Sequence, residues 1–144
     1  MNGDLLFQIG NFTALVGWAA LLISPWFPVL ADRFAGLLVP GLLSVAYAGL
    51  VMAFWTSAEG GFGSLDDVAL LFQAREVLLA GWLHYLAFDL FVGALEVRMA
   101  RRARIPFVLV VPCLVLTFLL GPAGLLLFLV LWGLRMQVAR AAGA

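Results

Sequence analysis

The segment Val77–Val97, VLLAGWLHYLAFDLFVGALEV, is apolar at almost every position yet carries His84, Asp89 and Glu96. At 1.5 Å per residue it spans roughly 30 Å, the thickness of a bilayer's hydrocarbon core. Counted from Val77, His84 lies roughly 10 Å deep and Asp89 falls near the midplane. A charged side chain at that depth costs about 2.5–3.5 kcal/mol on insertion scales, and such residues usually face a bundle interior. Both side chains are therefore expected to point inward.

The rest of the chain agrees with a membrane setting. Its 144 residues are 65% hydrophobic and only 11% charged, which excludes an ordinary soluble domain. The length fits four or five spans and leaves no room for a second domain, so residues 1–144 read as one membrane-embedded unit. The formal net charge is zero and lysine is absent, so no basic surface for nucleic acid is implied. The start, Met1-Asn2-Gly3-Asp4, lacks a positive signal-peptide n-region and reads as a mature N-terminus. The single cysteine, Cys113, lies in an apolar run and reads as a small packing residue.

The first span is expected over about Leu5–Phe27, stopped by Pro25-Trp26-Phe27-Pro28, and the second over about Gly36–Trp55. A glycine-rich loop follows. Ser64 with Asp67 then marks a helix start of the capping-box type, opening a short interfacial helix with Leu65, Val68, Leu71 and Phe72 on one side. Ile105–Leu134 is long for one span and short for two, and Gly121-Pro122-Ala123-Gly124 divides it. Placing Arg33, the Arg98–Arg104 cluster, Arg135 and Arg140 together on the cytoplasmic side requires an even number of crossings between Arg104 and Arg135. The fold class is thus an all-α polytopic bundle. Five segments are favoured over four, with the N-terminus outside and Gly121–Gly124 near the outer surface. Gly10, Ala14 and Gly17 form a small-residue stripe suited to close helix packing.

Tyr85, Asp89 and Glu96 share one face of the third span, with Trp82 one turn earlier, whereas His84 lies about 140° from Asp89 around the helix. Asn11 and Tyr47 fall at comparable depths on the other spans. Together these residues outline an Asn–His–Asp–Tyr interior able to hold water or an oxygenated ligand. Glu96, one turn from the basic cluster, is expected to pair with Arg101 or Arg102, and Glu76 to be solvated. One histidine and two carboxylates make a poor metal set, and no nucleophile elbow, phosphate loop or dinucleotide fingerprint occurs, so neither metal nor cofactor is expected.

Ala14-Leu15-Val16-Gly17-Trp18, Gly61-Phe62-Gly63-Ser64-Leu65, Ala80-Gly81-Trp82-Leu83-His84-Tyr85-Leu86-Ala87-Phe88-Asp89, Val111-Pro112-Cys113 and Leu120-Gly121-Pro122-Ala123-Gly124 together resemble the ABA4-like family, the plant neoxanthin synthases and their bacterial relatives. The resemblance covers most of the chain. The plant members act on violaxanthin in plastid membranes. No transit peptide is visible, so the chain looks like a bacterial relative of the inner membrane. The resemblance implies a carotenoid-modifying isomerase that turns an epoxide end group into an allenic alcohol, a redox-neutral change needing an acid and a base. An acid kept out of water holds its proton, making Asp89 the candidate acid, with His84 the candidate base. Asn11, Tyr47, Tyr85, Trp82 and Trp18 would contact substrate. The alternative is a non-catalytic binder of carotenoid, quinone or another isoprenoid, alone or as a homo-oligomer. A small transporter or proton relay is a third reading.

Overall fold

The computed structural model describes residues 2–142. All regular structure among them is helical. Helix α1 spans Gly3–Leu22, α2 Pro28–Arg33, α3 Val39–Phe54, α4 Leu65–Leu71, α5 Arg75–Arg102, α6 Phe107–Leu120 and α7 Pro122–Ala142. A π-helical turn, Phe34–Leu38, joins α2 to α3, so Pro28–Ser57 forms one continuous 30-residue span. Pro40 has no amide hydrogen to bond one turn back, and the widened turn before it accommodates that gap. The second span therefore starts earlier than Gly36, and α1 stops earlier than Phe27. Four helical stretches are long and apolar enough to cross a membrane: Gly3–Leu22, Pro28–Ser57, Arg75–Arg102 and Pro122–Ala141. The fifth apolar segment, α6, has only 14 residues.

Helix α5 is the axis of the bundle. Leu83 packs where a Gly10 side chain would stand, Leu90 fills the place beside Gly17, and Trp18 returns the contact over Gly93. Those pairs rise together in sequence, so α1 and α5 run parallel. The small-residue stripe on α1 is the packing surface it was expected to be. Helix α3 runs antiparallel to both, with Gly36 against Ala94 and Tyr47 beside His84. At the acidic end of the bundle Ser64 caps α4 by accepting from the Asp67 amide at 3.1 Å, and Phe72 beyond α4 lies over Gly81. At the other end Arg101 pairs with Asp32.

The last two helices form a hairpin, and its tip lies deeper than the outer-surface position expected for Gly121–Gly124. Arg135 Nε donates to the Ala103 carbonyl at 3.3 Å, so the open end of the hairpin lies at the basic end of α5. Its tip does not reach the opposite surface. Gly121 rests on the Asp89 carboxyl, halfway along α5, where a Cβ would fall 2.7 Å from Oδ1. Gly121 has φ +44°, a conformation that L side chains rarely adopt. Gly124 closes the turn from the other side, where a Cβ would strike the Thr117 amide and hydroxyl. Fourteen residues of α6 reach about 21 Å, half the roughly 42 Å length of α5, so the hairpin covers one half of the bundle.

Candidate functional site

The polar residues of α5 separate into two groups on different sides of the helix. On the side facing the hairpin, Asp89 is 9% exposed and its Oδ2 is buried with no hydrogen-bond partner. Tyr85, one turn before it, points its hydroxyl at the Phe118 and Leu119 carbonyls at 3.3 and 3.2 Å. Those carbonyls belong to the last turn of α6, where no helical donor remains, so the phenol satisfies acceptors that lipid could not. The α7 N-terminus starts at Pro122 and brings partial positive charge to the neighbourhood of the Asp89 carboxyl. The acid is thus set at mid-depth between a phenol and a helix turn.

Aromatic rings continue the same face toward the acidic end. Trp82 stacks on Tyr85 with centroids 5.2 Å apart, and its indole N–H donates to Asn11 Oδ1 at 3.1 Å. Asn11 in turn donates to the Phe7 carbonyl at 2.8 Å. Trp18 meets Phe118 edge-on at 5.5 Å. Of the residues singled out by sequence, Trp82, Tyr85, Asp89, Asn11 and Trp18 therefore fall in one connected group that also includes the hairpin tip.

His84 and Tyr47 form the other group, which corrects the expectation of a single interior. His84 is exposed on the bundle surface and does not point inward. It stacks on Phe88 at 4.5 Å, with the Tyr47 ring 5.5 Å away. The body of α5 stands between this cluster and the open edge of Asp89. The reason is the five-residue offset: 140° around a helix of this kind turns one side chain to the hairpin and the other to the groove beside α3.

Glu96 is also placed differently from the sequence expectation. It is wholly buried, its Oε1 accepts from the Thr117 hydroxyl at 2.8 Å, and Oε2 has no partner. Arg101 is committed to Asp32, and the Arg98 guanidinium lies over the Phe91 ring at 5.9 Å. Thr117 escaped the sequence reading although it is the one hydroxyl in an otherwise apolar α6. That isolation was its signal. Gly121 was read as a turn, but nothing in the sequence placed the turn on Asp89. Cys113 is buried and weakly bonded to the Leu109 carbonyl, in keeping with a packing role. Among the described residues no cluster of three His, Cys, Asp or Glu side chains is arranged to hold a metal ion.

No curated protein and no solved structure matches this chain. A family model does. The ABA4-like model, described as ABA DEFICIENT 4-like, matches residues 5–128, a stretch that contains every residue of both clusters, and the chain belongs to that family.

Proposed function

We propose that the chain is a membrane isomerase that opens an epoxide on the ring end of a carotenoid or related isoprenoid, with Asp89 as the proton-transferring residue. The supporting observation is the Asp89 carboxyl itself: mid-depth, nine-tenths buried, with one oxygen unengaged and the hairpin tip pressed against it. Burial of this kind is what a proton donor working away from water needs.

The reaction balances on one carboxyl. Asp89 gives its proton to the epoxide oxygen as the ring C–O bond breaks. The resulting carboxylate takes the proton from the adjacent vinylic carbon, and those C–H electrons become the second double bond of the allene. The epoxide has become an allenic alcohol, Asp89 is restored, and no electrons are gained or lost. In this scheme Tyr85 and Trp82 line the approach, Asn11 holds the Trp82 indole, and Trp18 supports the hairpin tip through Phe118. His84, turned to the other side of α5, has no step assigned to it. The substrate arrives laterally from lipid, above the hairpin tip, where Leu119 and Leu120 are exposed.

The test is pigment extraction from a violaxanthin-producing host expressing wild type, Asp89→Asn or His84→Ala. Wild type should convert the epoxide. Asp89→Asn keeps the side-chain shape but loses the transferable proton and should lower the rate by about 10²–10⁴-fold. His84→Ala should retain most of it. An unchanged epoxide profile with wild type rules out violaxanthin as substrate, and a fully active Asp89→Asn removes Asp89 from the chemistry. A binder without catalysis would retain pigment on purification and leave the profile untouched in all three.

A further inference from the structure

His84 and Tyr47 take no part in the site at Asp89, yet they place polar groups inside the membrane on the outer face of the bundle. The two rings stand 5.5 Å apart across the α3–α5 junction, so both lie at the depth of roughly 10 Å counted for His84. His84 is exposed, with its ring stacked on Phe88. Among the described residues neither the imidazole nor the Tyr47 hydroxyl makes a hydrogen bond. The exposed Ser44 hydroxyl, one turn before Tyr47 on α3, makes none either. Acyl chains carry no donor or acceptor, so polar groups facing them are costly until another protein surface engages them.

The same face is shaped for protein side chains. A groove of about 280 Å³ runs between α3 and α5, lined by Pro40, Gly41 and Ser44 on one side and Ala87, Phe88 and Phe91 on the other. That is below the roughly 300–1,000 Å³ of small-molecule sites. A Cβ at Gly41 would meet nothing within 4 Å, so a neighbouring helix has room to approach closely there. Phe88 stands beside the groove 55% exposed, an aromatic knob next to a hole.

Self-complementarity selects the occupant. Copies inserted with their arginine-rich ends on one side are related by a twofold axis along the membrane normal, which keeps every residue at its own depth. His84 and Tyr47 are level, so each imidazole meets the partner subunit's Tyr47 at the same height. A neutral imidazole has one N–H and one bare nitrogen, and a phenol both donates and accepts, so the pair is satisfied whichever nitrogen carries the proton. An unrelated helix must bring its own polar side chain to that depth, whereas a second copy already has one there.

We propose that the face formed by Gly41, Ser44 and Tyr47 on α3 with His84 and Phe88 on α5 is a homodimer interface within the membrane, closed by reciprocal His84–Tyr47 hydrogen bonds. It lies across α5 from the open edge of Asp89 and does not depend on the chemistry assigned to that residue.

The test dilutes fluorophore-labelled full-length chain with phosphatidylcholine in vesicles and counts two-step photobleaching at each protein-to-lipid ratio. Wild type should pass from dimer to monomer as lipid is added. Tyr47→Phe and His84→Phe keep a ring and lose the hydrogen bonds, and each should move the midpoint about ten-fold toward higher protein density. Gly41→Leu should move it at least as far while leaving the monomer undisturbed, because its Cβ has open space. Val108→Phe, an exposed change on α6, should leave the midpoint in place. With Cys113 replaced by alanine, Ser44→Cys should be joined to its counterpart by a short, membrane-permeant bis-maleimide, and Leu126→Cys on α7 should not. The cross-linking arm stands even if His84→Phe fails to fold. A chain monomeric at every ratio, assemblies larger than two, a midpoint unmoved by folded Gly41→Leu or by both hydrogen-bond variants, a midpoint moved as far by Val108→Phe, or equal cross-linking from Leu126→Cys would each overturn the proposal.

Discussion

Replacing Gly121 by alanine tests the placement of the hairpin tip directly. Two costs combine at this position. The backbone has φ +44°, where a Cβ is disfavoured by about 1–2 kcal/mol. The added methyl would also lie 2.7 Å from Asp89 Oδ1, closer than real Cβ contacts come, and a tight 3.1 Å from Oδ2. Relieving it requires the carboxyl to rotate or the tip to lift from α5, an overpacking cost of about 1–3 kcal/mol. The sum, about 2–5 kcal/mol, corresponds to roughly thirty-fold or more in the folding equilibrium. Gly49→Ala is the matched control, because a Cβ there meets nothing within 4 Å. It sits inside α3, where alanine replaces the least favourable helix former apart from proline, so its effect should be neutral or stabilising by up to about 1 kcal/mol. Reversible unfolding in mixed micelles of mild detergent and dodecyl sulfate would measure both. Should Gly121→Ala unfold at the same denaturant fraction as Gly49→Ala, the tip does not rest on Asp89 and the site geometry derived from that contact fails.

The depth of the tip also predicts labelling: with Cys113 replaced, Ala123→Cys should resist an impermeant thiol reagent from both sides, while Ala103→Cys reacts from the basic end alone, and labelling of Ala123→Cys from the acidic side would place the turn at the surface after all. Thr117→Val leaves the wholly buried Glu96 carboxyl without its donor and should cost about 1–3 kcal/mol, whereas Glu96→Gln keeps an oxygen acceptor for the Thr117 hydroxyl and should cost less, both read from the same micelle unfolding. Gly17→Val drives a methyl-bearing carbon to within 2.4 Å of Leu90 Cδ2, and because that contact is the movable end of a leucine the expected loss is limited to about 1–3 kcal/mol; no loss would mean that α1 and α5 pack less closely than described.

The helical class, the spans and their order were legible because hydropathy over twenty residues is a strong signal and the capping serine and turn glycines are local ones. The face shared by Trp82, Tyr85, Asp89 and Glu96 was equally legible, since helical periodicity fixes it. Depth was not. The parity argument from the arginines demands only that α6 and α7 start and end on the same side, and a hairpin that turns back at Asp89 satisfies it as well as a full pair of spans would. Charge at the two ends reports the side on which a segment starts and stops and carries no information about how far it travels between them. His84 shows the complementary failure. Its offset from Asp89 was known from sequence, yet which of the two would face a neighbouring helix depends on where α3 and α6 stand around α5. That is a tertiary fact. Glu96 was given to the arginines by proximity along the chain, and a hydroxyl on another helix took it instead.

The half-height hairpin makes the two ends of the bundle unequal in girth. Beside the arginine-rich half of α5 stand α1, α3, α6 and α7, whereas α6 and α7 do not extend along its other half. The protein is therefore a wedge, broad at its arginine-rich end. The tip leaves a notch beside the other half of α5, floored by Gly121 on the Asp89 carboxyl.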